Sequence, residues 1–199
     1  MTGAALALAD GDFCDEVSLA LNNETTETVA ELILELDPDT VGGKLTAEVP
    51  PFCRATGTAS PVEGARIGFE IWLPEKDWNG RLLMFGNGGY SSKISYDKAE
   101  RALSKGYAVA LTDTGHEGND PIFGKGHPEA IVDWAHRAVH ETALRGKAAI
   151  AAYYGKGPNY SYFDDCSTGG QQAFSKAQRY PEDFNVILAG ERRATTTPI

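Results

Sequence analysis

The feature that most constrains this chain is an alternation between residues 66 and 190. Short apolar runs take turns with segments of helical character. "RLLMFGNGG" (81–89), "YAVALTDTG" (107–115), "YSYFDD" (160–165) and "FNVILAG" (184–190) are strand-length runs, and the first two are apolar on both faces. That pattern suits strands covered on both sides. "RIGFEIWLP" (66–74) instead puts Ile67, Phe69, Ile71 and Leu73 on one face, as a half-buried strand does. Between the runs lie three helical segments. "SYDKAERALSKG" has Ser95 as N-cap and Gly106 as stop. "HPEAIVDWAHRAVHETALRGKAAIAAYYG" has Pro128 in its first turn and Gly155 after its end. "GGQQAFSKAQRY" is the third. Strands alternating with helices predict an α/β fold with a mainly parallel sheet and helices on both faces.

The first 60 residues read differently. Gly3 to Ala9 is small and apolar, and Ala7-Leu8-Ala9 fits a signal-peptidase site, so the start reads as the stub of an export signal. A strand or edge hairpin is expected within 15–51, around "TVAELILEL". Pro50-Pro51 and "CRATGTASP" read as a connector. Residues 1–60 are therefore an N-terminal extension and 61–199 the main domain. Three cysteines occur. Cys14 and Cys53 flank the extension and are placed to staple it, which leaves Cys166 without a partner. The net charge of −10 argues against a nucleic-acid partner, and no run approaches the length of a membrane span.

Chemistry concentrates where "YSYFDD" meets the last helix. A strand, a tight turn bearing Ser167, then a helix is the setting that lifts a nucleophilic hydroxyl above a sheet. The Thr168 N–H, at a helix N-terminus, is placed to donate to an oxyanion. A second donor is expected from "FGNGGY", through the N–H of Gly88 or Gly89, where the missing side chains let backbone approach a substrate carbonyl. Of the G-x-S-x-G pattern, Gly169 supplies the second glycine, but Asp165 stands at the first. Its carboxylate is expected to crowd the turn and to put negative charge near the developing oxyanion. In this setting an acid and then a His follow the serine along the chain. All four histidines (His116, His127, His136, His140) precede Ser167, and only Glu182, Asp183 and Glu191 follow it. The strands that carry the acid and the His are thus not among these residues.

"PFCRATGTASP", "IGFEIWLP", "WNGRLLMFGNGGY", "GYAVALTDTGH", "AVHETALRGKAAIAAYYG", "SYFDDCSTGG" and "AQRYPEDFNVILAG" run nearly colinearly from Pro51 to Gly190. As a set they resemble the tannase and feruloyl esterase family of α/β-hydrolases. The resemblance implies the N-terminal part of such a fold: a secreted or periplasmic serine esterase for small aromatic acyl esters, with the catalytic Asp and His beyond this chain. It also implies that Cys166 is disulfide-bonded to a cysteine beside that His. A structural calcium is implied only in a lid region outside this chain, so no cofactor and no metal ligand is expected here. The sequence departs from the family at Asp165, where Gly is usual, and at Gln171, where Arg is usual.

Competing readings stay open for several residues. Cys166 at a helix N-terminus has the chemistry of a nucleophile, although Ser167 sits at the apex. His136 and His140 lie one turn apart, as metal ligands do, but without H-E-x-x-H a polar helix face is the plainer reading. His116 either lines the cleft or makes a structural hydrogen bond, and Asp113 reads as a carboxylate that fixes a loop. Trp72, Trp78 and Trp134 read as core or interface aromatics. The whole chain also admits a non-enzymatic reading, as a hydrolase-like remnant or binding module that keeps the turn but does no turnover. A sheet that stops early is expected to leave an open strand edge and bare apolar faces.

Overall fold

The computed structural model describes residues 12–43, 45 and 47–190. The proposed export-signal stub (3–9) and the tail 191–199 lie outside the described residues. Among the described residues seven strands form one sheet: β1 (Thr26–Ile33), β2 (Phe52–Ala59), β3 (Ile67–Pro74), β4 (Arg81–Phe85), β5 (Ala108–Thr112), β6 (Tyr160–Cys166) and β7 (Val186–Gly190). Their order is β1-β2-β3-β5-β4-β6-β7. The first three strands and β5 are joined antiparallel, while β5, β4, β6 and β7 are mutually parallel. The sheet is therefore mixed, and its parallel part coincides with the alternating region of the sequence.

Helices cover both faces. α2 (Tyr96–Leu103) lies on one side, where Ala99, Ala102 and Leu103 pack with Phe52, Trp72, Val109 and Leu111. α1 (Asp12–Leu21), α4 (Ala138–Tyr154) and α5 (Thr168–Arg179) lie on the other, over a core that includes Ile67, Phe69, Ile71, Leu73, Leu82, Met84 and Phe163. The period-2 face expected of β3 is thus one continuous buried surface. α3 (Pro128–Val132) runs into α4 through a single π-helical turn, Asp133–Arg137, so the long helix expected from 127–155 is present with a bulge in it. No described helix is long and apolar enough to cross a membrane.

One expectation for the N-terminal part needs correction, and one element there was not foreseen. "CRATGTASP" is not a connector: its residues through Ala59 form β2, bonded to β1 on one side and β3 on the other. Gly57 and the flanking Ser60-Pro61 look like loop punctuation. Here ladders on both sides hold the segment extended, with Cys53, Ala55 and Ala59 buried beneath it, and Gly57 leaves room for the Phe69 ring. Residues 12–21 form a helix that the sequence reading did not anticipate. Cys14, Val17 and Leu21 make its buried stripe, and Cys14 is bonded to Cys53 at the edge of β2. The expected staple therefore joins α1 to the sheet. β7 is the terminal strand, with Val186 and Leu188 exposed.

Candidate active site

β4 and β6 are neighbours in the parallel part of the sheet, with Phe85 opposite Asp164 at their C-terminal ends. β4 stops at Phe85 and β6 two residues further on, at Cys166, and they release the two loops singled out in the sequence. β6 turns directly into α5 at Ser167, whose backbone takes φ 57° and ψ −123°. A side chain is strained in that conformation, and such residues cluster at functional sites. The Ser167 carbonyl accepts the Gln171 N–H and so opens the helix, while the side chain stays exposed.

The loop after β4 is held through its backbone. Ser91 N–H donates to the Gly88 carbonyl at 3.0 Å and closes a tight turn with Gly89 at φ 58°. A positive φ at that turn position favours glycine. Asn87 N–H donates to Gln172 Oε1 at 3.1 Å, and the Asn87 side-chain amide donates to the carbonyls of Ser91 and Thr112. The Gly89 carbonyl accepts the Trp134 indole N–H at 3.3 Å. The Tyr90 carbonyl lies 2.7 Å from His116 Nε2. A carbonyl only accepts, so Nε2 carries the proton, and Nδ1 faces Thr114 Oγ1 at 3.2 Å. Of the two readings of His116, the structure shows the hydrogen-bonding one. Trp134 lies on the π-helical turn, stacked on Tyr90 at 5.2 Å. Sequence reasoning missed its bond to the loop, because no local pattern links residue 134 to residue 89.

The two loops meet. Gly89 N–H donates to Thr168 Oγ1 at 3.0 Å, so Ser167, Thr168 and Gly89 share one small region above the strand ends. Close approach of the strand and helix depends on missing side chains. A Cβ on Gly86 would lie 2.7 Å from the Gly169 Cα, and a Cβ on Gly169 would lie 2.5 Å from the Asp165 Cβ. Asp165 is accommodated without crowding the turn. Its side chain occupies the space that Gly169 leaves open, its Oδ1 accepts the Cys166 N–H at 2.7 Å, and Lys98 Nζ pairs with its Oδ2 at 2.8 Å. The buried charge is balanced rather than left facing the turn.

The remaining candidates lie apart from the serine. His136 Nδ1 is 3.0 Å from the Tyr180 hydroxyl. His140 Nδ1 is 2.9 Å from Asp183 and stacks on the Tyr180 ring. These two are structural members of a helix face, and burial, with Arg179 and Lys176 nearby, lowers the His136 pKa. His127 is exposed before α3. No histidine is hydrogen-bonded to Ser167 among the described residues. Asp113 accepts the N–H groups of Gly68 and Gly115 at 2.9 and 2.7 Å, as expected of a loop-fixing carboxylate, and burial pushes its pKa up. Cys166 is a free, exposed thiol within this chain. Trp72 is fully buried against Phe52 and Tyr96, and Trp78 stacks on Tyr154 at 4.0 Å.

Known proteins are similar to this chain. An uncharacterized esterase of Xanthomonas campestris pv. campestris is 40% identical over 149 residues, covering 74% of this chain and 26% of that protein. Feruloyl esterase B of Aspergillus niger is 31% identical over 201 residues, covering 96% of this chain and 38% of its own length. The crystal structure of feruloyl esterase B from Aspergillus oryzae superposes with a TM-score of 0.82 at 28% identity, over 92% of this chain and 37% of that one. The chain therefore spans between about a quarter and two fifths of the length of these relatives. The family model for tannase and feruloyl esterase matches residues 53–194, which include both strand ends and both loops: the chain belongs to the tannase and feruloyl esterase family.

Proposed function

We propose that this chain carries the nucleophile and the oxyanion donors of a serine esterase acting on small aromatic acyl esters. Ser167 Oγ attacks the ester carbonyl carbon, and the carbonyl oxygen becomes an oxyanion facing the amides of Thr168 and Gly88, while the Gly89 N–H, the other donor expected from this loop, is held by Thr168 Oγ1. The ester C–O bond then breaks and the alcohol departs with a proton, leaving the acyl group on Ser167. Water attacks that acyl-enzyme and frees the acid. The proton acceptor is a histidine from the portion of the longer relatives that has no counterpart here. Aromatic acyl specificity is supported by the names of the relatives. The Cys14–Cys53 disulfide supports an oxidising compartment, secreted or periplasmic.

The observation that carries this reading is the strained, exposed Ser167 with Thr168 in contact with Gly89. The test is reaction with 4-nitrophenyl acetate. With no histidine hydrogen-bonded to Ser167 among the described residues, attack by the hydroxyl is expected to be slow. Nitrophenolate should appear slowly and stop near one equivalent, because deacylation needs the same base. Peptide mapping should then find the acetyl group on Ser167, and Ser167→Ala should form no adduct. Equal release by Ser167→Ala, or no acylation of Ser167, would refute the proposal and leave the catalytically silent module.

A further inference from the structure

One side chain touches the ends of both functional strands. Lys98 Nζ, on α2, lies 2.8 Å from Asp165 Oδ2 and 5.5 Å from the centroid of the Phe85 ring. Asp165 lies two residues before Ser167, and its other oxygen holds the Cys166 N–H. Phe85 is the last residue of β4, directly before Gly86. The ammonium reaches across a groove of about 630 Å³ that runs between α2 and the ends of β4, β6 and β7.

Three physical facts make this contact a strut rather than a chance surface pair. Its base is fixed: the Tyr96 hydroxyl, two residues before Lys98, donates to Glu70 on β3 at 2.6 Å, and Ala99, Ala102 and Leu103 are buried beneath the helix. Its anionic end is buried, with the Asp165 side chain 6% exposed, so the carboxylate requires a partner, and Lys98 is its one ion-pair partner among the described residues. Its position matters because the β4–β6 ladder runs out at Phe85 and Asp164. Beyond that pair, side-chain contacts keep the loops in register. Gly89 to Thr168 serves on the outer side and Lys98 on the α2 side.

We infer that Lys98 is a positioning residue: through its ion pair with Asp165 and its contact with the Phe85 ring, it holds the Ser167 turn and the glycine loop at one fixed separation. The role is specific to a chain with a carboxylate at position 165, since a glycine there offers an ammonium nothing to hold. Its catalytic consequence rests on the reading of Ser167 as the nucleophile. Its structural content does not.

The experiment is residue-resolved amide hydrogen exchange on the 199-residue chain, comparing the wild type with Lys98→Met and with Lys98→Met/Asp165→Gly. In Lys98→Met, exchange in both 86–90 and 166–168 should speed up by about tenfold or more, while β2 and β3 amides keep their protection. In the double variant the buried charge is gone. Ser167 and Thr168 should return to within about threefold of wild type, whereas Cys166, whose N–H has lost its Asp165 acceptor, and 86–90, whose contact with Phe85 remains absent, stay fast. Unchanged exchange in Lys98→Met would overturn the inference. So would equal acceleration of β2 and β3 in both variants, since Lys98 would then serve only global stability. Acetylation of Ser167 by 4-nitrophenyl acetate gives a second readout, with Lys98→Met expected to slow it about tenfold or more if the two loops act together. If the wild type forms no Ser167 adduct, the esterase proposal fails alone, and the exchange data still decide the role of Lys98.

Discussion

Replacing Ser167 by glycine should make the protein more stable while removing its nucleophile. The backbone there takes φ 57° and ψ −123°, a conformation in which a Cβ crowds the neighbouring peptides. A non-glycine residue held in such a region costs about 1–3 kcal/mol. Glycine removes that cost but leaves the unfolded chain freer, which takes back about 0.5–1 kcal/mol. Ser167→Ala keeps the Cβ and so keeps the strain, which makes it the proper reference. The hydroxyl itself has little to lose, because the side chain is exposed. The net expectation is that Ser167→Gly exceeds Ser167→Ala by about 1 kcal/mol, or about 2–4 °C in melting temperature for a chain of this size. Urea unfolding followed by far-ultraviolet circular dichroism reads the difference directly. Both variants lack the nucleophile, so neither result is confounded by acylation. A glycine variant no more stable than the alanine variant would show that the turn stores no strain.

Three further outcomes are expected. Converting Cys14 and Cys53 together to alanine should lower the unfolding free energy by about 4 kcal/mol, from the chain entropy of a loop with 39 residues of separation, seen as a fall in the urea midpoint. Gly86→Ala should destabilise by about 1–3 kcal/mol and lower the melting temperature, because its Cβ would meet α5 backbone, which cannot turn aside. Lys176 is buried beside Tyr180 and donates to the His136 carbonyl, and burial lowers its pKa from 10.5 to about 7. Between those two values the unfolded chain binds the proton that the folded state has released. Stability should therefore rise with pH across that window, and the gain is lost as pH falls through about 7. Lys176→Met should remove that slope from urea titrations between pH 7 and 10, and parallel curves for the two proteins would contradict this.

Much of the fold is legible in the residue pattern because burial imposes periodicity. The runs at 81–85, 108–112, 160–166 and 186–190 are strands, as their length and their alternation with helical segments predict. Segments whose structure depends on partners are less legible. β2 mixes small, polar and apolar residues with a glycine, and its pairing with β1 on one side and β3 on the other makes it a strand. α1 is a short amphipathic piece fixed by the disulfide and by packing on α4. The π-helical turn has no sequence signature here, yet it carries the indole that holds Gly89.

The candidate site divides along the same line. Ser167 before Thr168-Gly169-Gly170, and Gly88-Gly89 after an apolar strand, could be named from the sequence, because a sharp turn and a close backbone approach demand particular residue types at fixed local spacing. Only the tertiary structure decided whether Asp165 spoils that turn. Its charge is met by Lys98, 67 residues away along the chain, and its bulk by the empty side of Gly169. Local sequence records what the backbone must do at each point. Which distant side chain neutralises a buried charge is set by how the helices and strands pack, and no spacing along the chain encodes it.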